Sequence, residues 1–315
     1  MLYAAALVSA FGFVYVLVPI ITRLAVSLSF VDQPNARKIH SRPIPLMGGL
    51  AIFIGCAVTV LLFHGTSRVG MVLVLGGSLL VMTGLLDDWF KTKKREFPVW
   101  PRILIYTLAS MIPAAFGIRV EGITDWSGGG MLLFPVWFSW LATMLWVFAL
   151  TNMVNFIDGL DGLATGIATI SSFTLLATAL IKGQPDSAVL AAILAGACAA
   201  FLLYNFYPAK VFMGDAGAIF IGYSLAVLAV DGAFKSATLV SLFVPVLALG
   251  VPIMDTVVVF TRRALKRQGL HRADKLHTHH SLMQWGLTQT QTVSFLYLIG
   301  AFFSLLSLVI LLAFT

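Results

Sequence analysis

Charge is what this sequence has least of. Only 10% of its 315 residues are Asp, Glu, Lys or Arg, whereas 59% are hydrophobic, and a soluble domain carries roughly 25% charged residues. A chain so poor in polar side chains cannot cover itself against water, and no stretch has the composition of a soluble domain. Cysteine is nearly absent: Cys56 and Cys198 each lie inside an apolar run, which excludes a disulfide framework and a cysteine metal site and leaves packing roles. The apolar and polar alternation of a membrane barrel is also missing. The apolar runs are instead of the length that a helix needs to cross a bilayer, about 20 residues. The expected fold class is therefore all-α, a single polytopic membrane domain over residues 1–315 with about ten transmembrane helices. The first run, from Leu2 to about Ile21, has no basic leader before it and no small-residue cleavage signal after it, so it reads as a retained helix.

Runs bounded by charge, Pro or Gly clusters place the spans near 3–26, 46–64, 69–87, 99–117, 132–150, 162–181, 187–206, 217–231, 238–260 and 288–314. If these alternate, one face holds the loops 27–45, 88–98, 151–161, 207–216 and 261–287, and with them 16 of the 20 basic residues. The other face keeps only Arg68, Arg119, Lys182 and Lys235. Such asymmetry in short loops makes the crowded face cytoplasmic. The net charge of +7 is then explained by topology and anionic lipid headgroups, and no nucleic acid is expected as a partner. The same face carries Asp32, Asp87, Asp88, Glu96, Asp158, Asp161, Asp215, Asp255 and Asp274 and five of the six histidines. Topology accounts for lysine and arginine but not for aspartate and histidine, so this excess points to function.

Asp87 and Asp88 end the third span as adjacent carboxylates at the lipid boundary, where a charge is costly unless paired, wet or bound to a cation. A solvated helix end is the simpler alternative. In the block 152–162, Asn152, Asn155, Asp158 and Asp161 recur every third residue, which on a helix makes one polar stripe suited to a hard cation or a nucleotide; a capped turn is the plainer reading. Phe212-Met213-Gly214-Asp215-Ala216-Gly217 opens the eighth span, placing Asp215 where a helix N-terminus presents free amides. Three acidic segments on one face favour a shared Mg²⁺ site, since magnesium takes oxygen ligands and bridges carboxylate to phosphate. His277, His279 and His280 sit in the last basic loop with Arg263. Zinc lacks a fourth ligand at a telling spacing there, and phosphate binding suits the positive surroundings better. The loop after the first span, with Arg37, Lys38 and His40, could bind anionic groups or cap helices. Asp255, below Pro245 and Pro252, reads as a partner for backbone groups freed by a proline-broken helix.

Together these blocks resemble the polyprenyl-phosphate N-acetylhexosamine-1-phosphate transferases of bacterial envelope synthesis. The resemblance runs in order through the Asp-Gln-Pro-Asn-x-Arg-Lys-x-His loop, Asp87-Asp88, the 152–162 block, the 212–217 block and the His-x-His-His loop, nearly the whole chain. It implies transfer of a sugar 1-phosphate from a UDP-N-acetylhexosamine, GlcNAc-type foremost, to undecaprenyl or a similar polyprenyl phosphate, with UMP released. It also implies Mg²⁺ or Mn²⁺ as cofactor, the bacterial cytoplasmic membrane as location and a site open to the cytoplasm. By resemblance Asp215 and Asn155 are metal ligands, and Asp87, Asp88, Asp158, His279 and His280 are catalytic. Arg37, Lys38, His40, Asn152, Asn155, Asp161, Phe212, Arg263 and His277 bind substrate, with Asp161 and Phe212 near the uracil. Asp87 is similar to a proposed base for the lipid phosphate, although a phosphate monoester with a second pKa near 6 is mostly dianionic at neutral pH without one.

The branch of the family that takes UDP-muramoyl-pentapeptide typically has three consecutive histidines followed by Phe-Glu. Here His-Thr-His-His precedes Ser281-Leu282, which favours the branch with smaller UDP-sugars; the pentapeptide branch is the alternative. A rival of another class, a secondary transporter, would hold its charges near the bilayer midplane and show repeated halves. The Asp-Gly-x-x-Ala-Arg core of CDP-alcohol phosphotransferases is absent, because Asp161-Gly162 is followed by Leu163-Ala164-Thr165-Gly166. Glycines and polar residues on membrane helices serve internal packing as well as dimer contacts, so a homodimer stays open.

Overall fold

The computed structural model describes residues 1–34, 42–124, 131–232, 239–265 and 277–314. Arg37, Lys38 and His40 lie outside these residues. Among the described residues the architecture is all-helical apart from two short hairpins, and the helices are α1 (Leu2–Ser27), α2 (Gly48–His64), α3 (Arg68–Thr92), α4 (Val99–Ala115), α5 (Val136–Ile157), α6 (Leu163–Ile181), α7 (Pro185–Asn205), α8 (Gly214–Gly232), α9 (Leu239–Ala248), α10 (Gly250–Leu265), α11 (Thr278–Gln284) and α12 (Gln289–Ala313). Seven of them, α1, α3, α5, α6, α7, α8 and α12, are long and apolar enough to cross a membrane, while α2 and α4 are shorter apolar helices. The chain is a multi-pass membrane protein.

The expected ninth span is two helices. Pro252 has no N–H for the Ala248 carbonyl one turn back, and the Ser171 hydroxyl donates to that carbonyl at 2.6 Å in its place. A side chain on α6 thus repairs the break between α9 and α10, as lipid-embedded backbone demands. The polar stripe expected through Asp161 is also cut short. Helix α5 stops at Ile157, and Asp158 and Asp161 occupy a turn that ends with Gly162 in the left-handed region, φ +77°.

The core is built on α8. Every residue from Gly214 to Gly232 except Asp215 is buried, with α3 and α5 packed along it. Small residues permit this approach: a Cβ on Gly49 would strike the backbone nitrogen of Gly217, and one on Gly84 would strike the backbone of Ala216. Helix α8 can therefore start deep between α2 and α3. A hairpin of β1 (Val31–Asp32) and β2 (Ile44–Pro45) fixes the approach to that start. Phe212 N–H donates to the Pro45 carbonyl at 2.8 Å, and Gly48 and Gly49 N–H donate to the carbonyls of Phe212 and Met213 at 3.0 and 2.8 Å. A second hairpin pairs β3 (Gly122–Thr124) with β4 (Met131–Leu133), before α5.

Candidate functional site

The last turn of α3, the first turn of α8 and the turn after α5 meet at one end of the bundle, around a cavity of 1410 Å³. Ligand pockets usually measure roughly 300–1,000 Å³, so there is room for a nucleotide sugar. Of the residues expected from sequence, Asp88, Asp158, Asp161, Phe212, Asp215 and His280 line it.

Lys91, one turn beyond Asp87 on α3, gathers three carboxylates. Its ammonium lies 2.6 Å from Asp215 Oδ2, 3.0 Å from Asp87 Oδ2 and 3.9 Å from Asp88 Oδ1. Asp87 and Asp88 are 2% and 1% exposed, so their charges must be met inside the protein. Asp88 accepts from the N–H groups of Asp215 at 3.1 Å and Ala216 at 3.3 Å. The anion at the N-terminus of α8 is therefore the Asp88 carboxylate, which leaves the Asp215 side chain to face Lys91 and Asp87. Gly214, at φ +70°, lets Asp88 come this close. Among the described residues no group of three or more His, Cys, Asp or Glu has the arrangement of a metal site. In donor type the carboxylate oxygens of Asp87, Asp88 and Asp215 are those that a hard ion such as Mg²⁺ takes, and the Lys91 ammonium meets them here.

The turn after α5 is held from two sides. Asp161 Oδ2 accepts from Ala209 N–H at 2.9 Å. Asn205 Oδ1 accepts from Gly162 N–H and the Thr165 hydroxyl, while its Nδ2 donates to the Val211 carbonyl. Asp158 is half-buried between them, and desolvation first, then the Asp215 charge, pushes its carboxyl up to about 7. The Asn152 amide donates to the Phe148 carbonyl at 2.7 Å within its own helix. Asn155 is half-buried two positions short of the helix end and does not line the cavity. Neither asparagine joins the cluster of carboxylates.

His277 Nδ1 lies 2.7 Å from Asp255 Oδ2, and Asp255 Oδ1 accepts from Thr278 N–H at 2.7 Å. Asp255 thus holds both the ring of His277 and the start of α11, a larger part than partnering a broken helix. Arg262 donates to Ser281 at 2.6 Å from the same side. Arg263 is half-buried in the last turn of α10, outside the cavity lining. The rings of His277, His279 and His280 follow one another at 5.6 and 4.3 Å between centroids. His279 is buried against Gly159, and burial first, with neighbouring His280 next, lowers its pKa to about 3, so it is neutral at neutral pH. A neutral ring can donate one hydrogen bond and accept another.

Polar lining residues that the motifs gave no role are Arg42, Lys91, Asn205, Tyr207, Lys210, Gln284 and Gln289. Lys91 and Lys210 are visible in the sequence only as topology charges, and Arg42 as one of these and as the start of the Arg-Pro-Ile-Pro-Leu-Met-Gly-Gly run of the first loop. Tyr207 and the glutamines carried no signal.

Fold and site define a class: a polytopic helical membrane protein with a cavity at one end of its bundle that is lined by aspartates together with Arg42, Lys91, Lys210 and His280. The chain belongs to glycosyl transferase family 4, whose pattern matches residues 70–233. It is 38% identical over 299 residues to a protein of Bacillus subtilis named probable undecaprenyl-phosphate N-acetylglucosaminyl 1-phosphate transferase, covering 94% of this chain and 82% of that one. It is 32% identical to the decaprenyl-phosphate N-acetylglucosaminephosphotransferase of Mycolicibacterium smegmatis, covering 87% and 74%. It is 31% identical to a phospho-N-acetylmuramoyl-pentapeptide-transferase of Heliobacterium modesticaldum, covering 85% and 84%.

Proposed function

We propose that this protein transfers N-acetylglucosamine 1-phosphate from UDP-N-acetylglucosamine to undecaprenyl phosphate at the cytoplasmic face of a bacterial membrane. The observation that carries the reading is the convergence of Asp87, Asp88, Asp158, Asp215 and the histidine segment on one end of the bundle, at a cavity with nucleotide dimensions. Names of relatives in two bacterial groups agree on the sugar.

An oxygen of the lipid phosphate attacks the β-phosphorus of the UDP-sugar, the bond to the bridging oxygen breaks, and UMP leaves with that electron pair. No proton has to be removed from the attacking dianion, so Asp87 needs no role as base. Lys91 supplies positive charge beside the reacting phosphates. Asp255 holds His277, and with it the segment that presents His280 to the diphosphate, with the buried His279 ring packed beside it. Asp161 and Phe212, at the 207–213 loop, provide the wall for the uracil. Asp215, with Asp87 beside it, would hold Mg²⁺, which when bound offsets the charge that develops on the leaving phosphate.

The purified protein should release UMP from UDP-N-acetylglucosamine only when undecaprenyl phosphate is present, with Asp215→Asn as inactive control. Product formed instead from UDP-muramoyl-pentapeptide would move the chain to the other branch. Release unaffected by Asp215→Asn would remove that aspartate from the chemistry.

A further inference from the structure

Helix α4 brings two groups to the carboxylates from the side away from the cavity. Arg102 Nη1 lies 3.6 Å from Asp87 Oδ2. One turn on, Tyr106 is 3% exposed, and among the described residues its hydroxyl meets no hydrogen-bond partner although it lies within electrostatic reach of Asp215, Arg102 and Asp87. A buried hydroxyl left without a partner is costly, so one that persists invites an explanation. Neither residue lines the cavity, whereas Lys91 does. The opposite face of α4 carries exposed Leu104 and Leu108, so Arg102 is not an arginine reaching outward along lipid.

We infer that Arg102, Tyr106 and the outer side of Lys91 form the subsite that receives the phosphate monoester of the membrane-borne acceptor. Lys91 and Arg102 both meet Asp87 Oδ2, yet their side chains are 46% and 34% exposed, so part of each cation is open to a further anion. Asp88, the third carboxylate, is already met by two backbone amides. A dianionic head group therefore meets two partly exposed cations and a hydroxyl that has no partner among the described residues. It approaches behind Asp87, while a water-soluble nucleotide occupies the cavity in front. This arrangement rests on the proposed transfer reaction and adds to it a separate door for the lipid substrate.

Two measurements test the subsite. In steady-state transfer, Tyr106→Phe should raise KM for a short polyprenyl phosphate about tenfold, the loss expected for one hydrogen bond to a charged group, with KM for the UDP-sugar unchanged. Arg102→Gln should raise it further, and Arg102→Lys should recover part of the loss. A fall in kcat with acceptor KM unchanged, or a rise in KM for the UDP-sugar, overturns the assignment. Binding is read separately by the melting temperature in detergent: farnesyl phosphate should stabilise the parent more than farnesol does, and that difference should shrink in Tyr106→Phe. Equal stabilisation of parent and variant by farnesyl phosphate, or none of the parent beyond that given by farnesol, also overturns it. If the parent binds farnesyl phosphate through Tyr106 but transfers no sugar phosphate, the subsite stands and the proposed reaction falls.

Discussion

Asp88 illustrates how one side chain couples two helices that are far apart in sequence. Its two oxygens take the first N–H groups of α8, and this aims Asp215 at Lys91. Replacement by alanine leaves two buried amides without an acceptor, a loss of roughly 2 kcal/mol. Removing a buried charge close to Asp215 gives some of this back, but not the acceptors, so the loss should win. Asparagine keeps one acceptor oxygen and removes the repulsion. Melting in detergent should therefore show Asp88→Ala clearly destabilised and Asp88→Asn close to the parent, while UMP release falls about a hundredfold in Asp88→Ala because Asp215 is misplaced. A stable Asp88→Ala protein would show that α8 does not depend on this cap. The acidity of positions 87 and 88 was legible in the sequence, but the cap was not, because its partners lie 127 and 128 residues further along. The same holds for Asp255 and His277, whose pairing no spacing rule announces. Tyr106 carries no signal because it sits inside an apolar run that reads only as a span, and Arg102, in the same run, counts only as a topology charge.

Whole helices were more legible than their ends, because apolar run length is a property of the chain itself. The break between α9 and α10 was signalled by Pro245 and Pro252, yet its repair by Ser171 depends on packing. At 158–162 the structure takes the capped turn and not the helical stripe, two readings that the sequence leaves open because every-third-residue polarity looks alike in a helix and in a turn rich in Asp and Gly. Packing also explains the glycines at the meeting of α2, α3 and α8. A methyl group on Gly49 meets backbone of α8, which cannot rotate away as a side chain could. Gly49→Ala should then cost about 1–3 kcal/mol, as overpacking does, and should lower activity by shifting the start of α8. Gly12→Ala has nothing within 4 Å of the added carbon and should leave melting temperature and activity alone. Equal behaviour of the two variants would mean that the close crossing of α2 and α8 is not required.

For the molecule as a whole, the proposed reaction needs one face to hold all the chemistry, since a nucleotide cannot be shared across a bilayer. The asymmetry of lysine and arginine is the ground, by the positive-inside rule, for proposing that this face is cytoplasmic. Two buried native cysteines, 5% and 0% exposed, make the chain suitable for labelling with a membrane-impermeant maleimide. Single cysteines at Lys94 and Lys210 mark the cavity end, and cysteines at Thr66 and Asp186 mark the other; all four positions are exposed. In intact cells with a permeable outer layer, Thr66→Cys and Asp186→Cys should react, and Lys94→Cys and Lys210→Cys should react only after lysis. If all four reverse together, the cavity faces outward and a cytosolic nucleotide cannot reach it. If Lys94→Cys and Lys210→Cys react from opposite sides, α3 and α8 do not end at a common face, and the cluster of Asp87, Asp88, Lys91 and Asp215 cannot form in the membrane.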